Sequence, residues 1–180
     1  MIITISGQAG SGKSTVGKIL ADKLGYVYYS IGTLRRRMAK ERGIRLSELN
    51  RLGEAEEFTD REVDEYQKKL GKKKGNFVVD GRLSFHFIPN SVKIYLKADL
   101  KTRARRVFTD ERIAEGFKSL KDAENELKDR ERSDLFRYKK YYGIKFIDKK
   151  NYDIVIDTSH ITAEEVAEKI LNFLKEKGKI

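Results

Sequence analysis

Short apolar runs alternate along this chain with longer stretches in which apolar residues recur at helical spacing. Five of the runs are rich in β-branched and aromatic residues, a composition that favours buried strands. They cover residues 2–6, 26–30, 77–80, 92–96 and 154–157. Because helical patterns separate them, the strands should form βαβ units. The pattern predicts an α/β fold with a five-stranded parallel sheet and helices on both of its faces.

Two of the predicted helices carry clear signals at their ends. The first should run from about residue 14 to residue 24 and end at Gly25, because glycine adopts the left-handed conformation that terminates helices. The last should begin after Thr162, which is followed by Glu165 at the spacing of a capping box. Both helices carry aliphatic residues on one face, so we expect both to pack on the sheet.

Two stretches without strands are longer than a simple crossover needs. Residues 33–75 and 99–143 are mostly helical in pattern and rich in Arg and Lys. No internal repeat or low-complexity linker separates them from the strands. We therefore predict one domain over residues 1–180, with two helical insertions that could close over the sheet, the first at about 33–75 and the second at about 103–142.

Composition excludes several classes of site. The chain has no cysteine and two well-separated histidines, which rules out disulfides and argues against a Cys/His metal site. His86 and His160 are therefore expected to be structural or surface residues. No run approaches the roughly 18 apolar residues of a membrane span, and no basic-then-apolar signal peptide precedes the first strand. We expect a soluble cytoplasmic protein that does not need a membrane.

The formal net charge of +11 has two explanations. A basic surface could bind nucleic acid. Alternatively, the arginines could line the site of an enzyme that acts on phosphates. Acidic residues are interleaved with basic ones almost everywhere, and the charge alone does not decide between the two.

A phosphate-binding motif directly follows the first predicted strand. The segment Gly7-Gln8-Ala9-Gly10-Ser11-Gly12-Lys13-Ser14, followed by Thr15, matches the P-loop pattern G-x-x-x-x-G-K-S/T in full. Its glycines allow backbone N–H groups to surround a phosphate, and the helix that begins here directs its positive end at the same anion. Lys13 could then reach the β- and γ-phosphates, and the Ser14 hydroxyl could bind Mg²⁺. These residues predict nucleoside triphosphate binding in a P-loop NTPase fold.

Two further segments follow predicted strands. Ser30 should cap a helix that follows the second predicted strand. Arg36, further along that helix, should point to the same edge of the sheet as the P-loop, and Gly32 should leave room beside it. The alternative is an ordinary capped helix with arginines in solvent, and Arg35 and Arg37 are predicted to lie on the surface. Asp80 ends an apolar strand, as the Walker-B carboxylate does, and should lie beside Ser14 and the metal. A strand-end aspartate can also be a simple cap.

The second insertion contains two groups of arginines. Arg103 and Arg106 share one helical face, whereas Arg130, Asp134 and Arg137 share another. They could form salt bridges within their helix, together with Glu126, or belong to a lid that brings guanidinium groups onto transferring phosphates. Three nearby tyrosines at helical spacing are expected to pack rather than to stack on bases; they are Tyr138, Tyr141 and Tyr142.

Taken together, these motifs resemble nucleoside monophosphate kinases, and specifically cytidylate kinases of the archaeal type. The resemblance covers nearly the whole chain and rests on the P-loop, the Ser30-x-Gly32-x-x-x-Arg36 segment and the Asp80-Gly81-Arg82 strand end. The spacing of the Arg/Asp/Arg set in the second insertion and the segment 157–159 belong to it as well. Adenylate kinases usually carry Gly-Phe/Tyr-Pro-Arg after the third strand, where this chain has Asp80-Gly81-Arg82-Leu83.

The resemblance implies Mg²⁺- and ATP-dependent phosphorylation of CMP, and of dCMP, by a monomer that does not bind nucleic acid. It assigns the catalytic roles to Lys13, Arg82 and Arg130 and the metal site to Ser14 and Asp80. ATP would be held by residues 7–15 with Arg103 and Arg106. The monophosphate would be held by Ser30, Gly32, Arg36, Asp80, Gly81, Arg82, Arg130, Asp134 and Arg137. The residues that contact the base, and hence the choice among CMP, dCMP and UMP, stay open.

Other functions remain as alternatives. Adenylate kinase and dephospho-coenzyme A kinase are the nearest among kinases, and an RNA-binding ATPase would also explain the charge. A regulatory GTPase is disfavoured because the chain lacks a convincing guanine-binding Asn-Lys-x-Asp segment.

Overall fold

The fold is built on one sheet of five parallel strands. The computed structural model describes residues 1–56, 58–109 and 117–180. The strands are β1 (Ile2–Gly7), β2 (Val27–Ser30), β3 (Phe77–Asp80), β4 (Val92–Lys97) and β5 (Ile154–Asp157). They lie in the order β2-β3-β1-β4-β5, and every neighbouring pair is parallel. The predicted five-stranded parallel sheet is therefore confirmed.

The edge strands are shorter or less buried than the sequence suggested. β2 begins at Val27, which is 56% exposed, and not at Tyr26. The backbone N–H of Tyr26 donates to the Ala21 carbonyl and so completes the end of the preceding helix. The residues of β1 and β3, in contrast, are almost all buried because both strands have neighbours on either side.

Eight helices and one short 3₁₀ turn (Lys149–Asn151) accompany the strands in the described part of the chain. The helices are α1 (Lys13–Leu24), α2 (Ile31–Glu41), α3 (Leu46–Ala55), α4 (Phe58–Gly71), α5 (Ser84–Phe87), α6 (Leu100–Phe108), α7 (Leu120–Tyr142) and α8 (Ala163–Glu176). Gly25 ends α1 at φ 66°, as predicted. Thr162 and Glu165 form the predicted capping box of α8. Across the described residues, none of these helices is long and apolar enough to cross a membrane.

Helices cover both faces of the sheet. On one face, α1 and α8 pack against alternate residues of the central strands, with Ile5, Leu20 and Ile170 fully buried at the contact. On the other face, α2, α3 and α4 cover Phe77 and Val79 of β3. Because helices cover both faces of the sheet, we look for the site at the loops that follow the carboxyl ends of the strands.

The long stretches without strands are helical, as expected. The first stretch contains α2, α3 and α4 and connects β2 to β3, whereas the second contains α6 and α7 and connects β4 to β5. Residues 110–116 of the predicted lid lie outside the described residues. Helices from the two stretches contact each other where α3 packs against α7.

A buried arginine joins the two helical stretches. The side chain of Arg137 on α7 has no exposed surface, and its Nη1 donates to both carboxylate oxygens of Asp60 on α4. Its Nη2 donates to Oδ1 of Asp134 one turn earlier on α7, at 2.6 Å. The other oxygen of Asp134 lies 2.6 Å from Nε of Arg82, directly after β3. Ion pairs thus connect α4 and α7 to the end of the central sheet.

Arg35 extends the same network, and its predicted position on the surface is wrong. This residue is only 6% exposed. Its Nη1 donates to Oδ1 of Asp60 at 2.8 Å, and its Nη2 donates to Oδ1 of Asn50 on α3 at 3.0 Å. Arg35 is buried because its face of α2 meets α3 and α4, where a carboxylate can offset the cost of removing the guanidinium from water.

We expect loss of the Asp60 charge to destabilise the protein strongly. In Asp60→Asn, Arg35 and Arg137 would be left buried without a full counter-charge, which typically costs about 3–5 kcal/mol. Urea denaturation measures this change in the free energy of unfolding. The matched control is Glu62→Gln on the same helix, because Glu62 pairs with Arg42 at the surface and such pairs contribute about 0–1 kcal/mol. Equal stabilities of the two variants would contradict the prediction.

Candidate active site

The P-loop connects β1 to α1 in a backbone conformation that requires glycine. Gly7, Gly10 and Gly12 have φ values of 146°, 78° and 87°. A Cβ on Gly7 would lie 2.1 Å from the carbonyl oxygen of Leu96, and one on Gly10 would lie 2.7 Å from that of Arg103. The loop is therefore held closely between β4 and α6, in the predicted strand–loop–helix context.

Lys13 at the start of α1 is held within the loop. Its Nζ donates to the carbonyl oxygen of Gln8 at 2.6 Å. Burial, together with the cations Arg82 and Arg130, lowers the pKa of Lys13 to about 7, against the opposing effect of Asp80 and Asp134. Without a bound anion, the site thus contains an excess of positive charge.

Ser14 and Asp80 lie side by side, as the motifs predicted. The Ser14 hydroxyl donates to Oδ2 of Asp80 at 2.5 Å. The same oxygen accepts a hydrogen bond of 2.8 Å from the hydroxyl of Tyr28 on β2. We did not predict Tyr28 as a site residue, although its position two residues before Ser30 on a strand adjacent to β3 is a usable signal.

These oxygen atoms fit a Mg²⁺ ion. A hydroxyl and a carboxylate are hard ligands of the kind that Mg²⁺ prefers, and in phosphate sites it usually combines one or two of them with water and substrate phosphates. No group of three or more acidic or histidine side chains suited to a metal occurs among the described residues. Ser14 and Asp80 therefore suit a metal that arrives with a nucleotide better than a permanent protein cage.

One cavity lies between the P-loop and α8, and we call it the α8 cavity. It is lined by residues 10–16 and by Arg106, Thr158, Ile161 and Val166. Nη2 of Arg106 donates to the carbonyl oxygen of Thr158 at 2.6 Å, and the Thr158 hydroxyl donates to the carbonyl oxygen of Ser11 at 3.1 Å. The loop around Thr158 thus connects Arg106 to the P-loop.

Arg103 is placed differently from Arg106. It is 6% exposed, and its Nη1 lies 3.3 Å from Oε2 of Glu131 on α7. The other oxygen of Glu131 accepts a hydrogen bond of 2.9 Å from the side-chain amide of Gln8. The two arginines predicted to act together therefore have different surroundings. Arg106 borders the α8 cavity, whereas Arg103 contacts Glu131, which in turn accepts a hydrogen bond from Gln8 of the P-loop.

A second cavity extends from the same P-loop residues to α4, and we call it the α4 cavity. Lys13 and Ser14 lie at its P-loop end together with three arginines, which are Arg36, Arg82 and Arg130. Burial and the neighbouring Arg82 lower the pKa of Arg130 to about 10, which leaves it charged at neutral pH. This end of the cavity is suited to an anion.

The turns around the α4 cavity are compact. Ser30 caps α2, because its hydroxyl accepts a hydrogen bond of 3.3 Å from the backbone N–H of Thr33. The next turn contains Gly32, where a Cβ would lie 3.5 Å from Nη1 of Arg36. At Gly81 a Cβ would lie 2.3 Å from the Ser84 hydroxyl, so only glycine fits there. Both glycines border the cavity, as does Asp80.

Asp134 and Arg137 lie behind the wall of the α4 cavity and not on it. Asp134 is 2% exposed and Arg137 is fully buried, and contact of either residue with the monophosphate stays a prediction. Burial alone would raise the pKa of Asp134, but Arg82 and Arg137 hold it below its ordinary value. Asp134 also pairs with Arg82 and so helps to hold it in place, a contact that helical spacing alone could not reveal.

Asp64 and Gln67 of α4 were also missed, although both border the α4 cavity. A signal was present in the sequence, since polar residues recur at positions 60, 64 and 67 on one helical face. Tyr142 was expected only to pack, yet its hydroxyl donates to Oδ2 of Asp64.

Comparison with known proteins agrees with this architecture. The model of the cytidylate kinase-like family matches residues 2–160. A cytidylate kinase from Methanocella arvoryzae is 42% identical, over 99% of this chain and 99% of its own. One from Sulfolobus acidocaldarius is 37% identical, over 99% of this chain and 96% of its own. The shikimate kinase from Acinetobacter baumannii in complex with shikimate has a TM-score of 0.65 at 18% identity and covers 98% of this chain and 93% of its own.

The structural likeness is at low sequence identity and shows the fold alone, which is that of a P-loop kinase. The sequence matches extend over nearly the whole chain and include both helical stretches. The chain therefore belongs to the cytidylate kinase-like family and is a nucleoside monophosphate kinase.

Proposed function

We propose that this protein transfers the γ-phosphate of ATP to CMP, with dCMP as a second acceptor, and releases ADP and CDP or dCDP. The observation that supports this best is the meeting of two cavities at one P-loop. Lys13 and Ser14 line both the α8 cavity and the α4 cavity, and Arg36 borders both as well. Such an arrangement suits transfer between two nucleotides better than hydrolysis of one.

The donor would occupy the α8 cavity. Its triphosphate would lie in the P-loop, where backbone N–H groups and the N-terminus of α1 favour an anion. Ser14 and Asp80 would hold Mg²⁺, which supplies positive charge to the β- and γ-phosphate oxygens when bound. Arg106 is the arginine best placed for the donor, and contact between Arg103 and the donor stays a prediction.

The acceptor would occupy the α4 cavity with its phosphate between Arg36, Arg82 and Arg130. Guanidinium groups suit this role, because their planar fork binds phosphate through two hydrogen bonds and keeps its charge. Ion pairing to Asp134 fixes Arg82 before any substrate arrives. Arg130 has no such partner in the described part of the chain, which leaves its charge available to an anion.

The chemistry requires no general base. An oxygen of the acceptor phosphate is already nucleophilic; it forms the new bond to the γ-phosphorus while the bond from that phosphorus to the β–γ bridging oxygen breaks, leaving ADP. The transition state gains most from alignment and from fixed positive charge. Lys13 and the arginines provide that charge from both sides of the transferring group.

The alternatives fit the site less well. Adenylate kinase and dephospho-coenzyme A kinase use similar chemistry, but the named relatives favour a cytidylate acceptor. An RNA-binding ATPase would not need arginines gathered around a second cavity. The expectations of a monomer, of a cytoplasmic location and of lid closure by the two helical stretches stay predictions.

We expect CMP to be the best acceptor in a coupled ADP-release assay with MgATP. The assay compares kcat/KM for CMP, dCMP, UMP, AMP and dephospho-coenzyme A. A higher kcat/KM for AMP or dephospho-coenzyme A than for CMP would refute the proposed acceptor.

Removal of Arg130 should weaken catalysis without unfolding the protein. A hydrogen bond to a charged group contributes about 1.5–3 kcal/mol, so Arg130→Ala should lower kcat/KM for CMP by about 10- to 100-fold. Arg132→Ala is the matched control, because Arg132 lies on the same helix but is exposed and pairs with nearby Asp129. If both variants keep wild-type kinetics, Arg130 does not bind the transferring phosphates.

Binding of ATP should be coupled to proton uptake by Lys13. In the free protein its pKa is about 7, so at pH 8 the amine is mostly neutral, and a bound polyphosphate raises the pKa and favours the charged form. Calorimetric titrations at pH 8 in Tris and in HEPES should show uptake of up to about one proton per ATP. Lys13→Arg is the control, because an arginine stays protonated throughout. Equal uptake by both proteins would exclude Lys13 as the group that takes up the proton.

A further inference from the structure

Helix α4 presents a row of polar side chains to the α4 cavity. Asp60, Asp64 and Gln67 lie at successive turns of one face, and all three border the cavity. Asp60 is fully engaged by Arg35 and Arg137. Asp64 and Gln67 are therefore the two residues of this row whose hydrogen-bonding capacity remains open.

Asp64 offers an acceptor. It is 8% exposed, and only its Oδ2 receives a hydrogen bond from a described residue, namely from the hydroxyl of Tyr142. Burial raises the pKa of Asp64 to about 6, against the lowering effect of Tyr142. At neutral pH the group is mostly a carboxylate whose second oxygen can accept a hydrogen bond.

Gln67 offers a donor. It is 2% exposed, and its Oε1 accepts a hydrogen bond of 2.8 Å from the Ser84 hydroxyl, which fixes the orientation of the amide. No described residue accepts a hydrogen bond from its amide nitrogen. Because Gln67 lines the α4 cavity, this amide N–H can donate to a ligand that supplies an acceptor there.

We propose that Asp64 and Gln67 select the base of the acceptor nucleotide by binding an exocyclic amino group and the ring acceptor beside it. This inference rests on the proposed function and concerns the same cavity. Cytosine carries a 4-amino donor next to the N3 and O2 acceptors, the complement of a carboxylate and an amide N–H. Uracil carries O4 and N3–H instead, and its O4 would face the carboxylate of Asp64. The pair therefore favours CMP over UMP.

The charge distribution of the cavity supports the same orientation. Arg36, Arg82 and Arg130 gather at the P-loop end, whereas on the side formed by α4 the cation Arg35 is paired with Asp60 and Asp64 adds a further carboxylate. A nucleotide with its phosphate at the arginines would direct its base toward α4. The opposite orientation would bring the phosphate toward a carboxylate and is disfavoured. Because adenine also carries an amino group beside a ring nitrogen, Asp64 and Gln67 explain the choice of amino over oxo bases only.

The test measures kcat/KM for CMP and UMP in the wild type and in Asp64→Asn. We expect the variant to lose about 10- to 100-fold for CMP, the range of one hydrogen bond to a charged group, with no comparable loss for UMP and no change in the KM for ATP. Glu65→Gln makes the same chemical change at an exposed neighbour that pairs with Lys68, and it should keep the wild-type CMP/UMP ratio. An unchanged ratio in Asp64→Asn would overturn the proposal.

A substrate analogue gives a second measurement. It is made on the wild-type protein and therefore does not require a variant to fold. The monophosphate of pyrimidin-2-one riboside lacks only the 4-amino group of CMP. Its kcat/KM should be about 10- to 100-fold below that of CMP in the wild type. The difference between the two substrates should be smaller in Asp64→Asn, because an uncharged amide oxygen is a weaker acceptor for the 4-amino group than a carboxylate. Equal rates in the wild type would overturn the role of Asp64.

Gln67→Met tests the donor separately and should lower kcat/KM for CMP while melting within a few degrees of the wild type. No loss for CMP would overturn the role of Gln67.

These outcomes differ from failure of the proposed function. If the wild type does not phosphorylate CMP, the proposed function is wrong. If it phosphorylates CMP but the ratio of kcat/KM for CMP to that for UMP is unchanged by substitution of Asp64 and of Gln67, only the proposed base selection is wrong.

Discussion

The structure depends on the burial of one guanidinium group between two carboxylates. Arg137 has no exposed surface and meets Asp60 of α4 and Asp134 of α7. A buried charge is tolerated only where its partners are held in place. The contact therefore fixes α4 relative to α7, although these helices belong to different connections of the sheet. The α4 cavity lies beside that junction.

The junction also determines how charge is distributed in the site. Asp134 is shared between Arg137 and Arg82, so Arg82 is held at the end of β3 in advance of any ligand. Arg82 and Arg130 in turn lower the pKa of Lys13. The P-loop end of the α4 cavity thus contains cations that are already held in place and can bind an anion. Such preorganisation favours phosphoryl transfer, because the protein need not reorient dipoles as charge develops.

The sequence was informative where a function depends on neighbours along the chain. The P-loop, the Ser30 cap and the meeting of Ser14 with Asp80 could be predicted, because strand ends and helix starts are local signals and parallel strands align their carboxyl ends. Pairing between distant helices could not be predicted. Arg137 and Asp60 are 77 residues apart, and Arg35 and Asp60 are 25 apart. Helical spacing showed that such residues share a face, but not which partner the face would meet.

Helix α4 shows why that distinction matters for function. Asp60 and Asp64 are the same residue type, one turn apart on the same face. Asp60 is paired with two arginines, whereas one oxygen of Asp64 receives no hydrogen bond from any described residue. Both residues border the α4 cavity, but only the Asp64 carboxylate has an oxygen that can accept a further hydrogen bond there. Because both lie on one rigid helix, the ion pairs that stabilise the fold also fix the position of Asp64. Stability and base selection therefore depend on the same element, and a change that loosens the Arg137 junction would displace the Asp64 carboxylate as well.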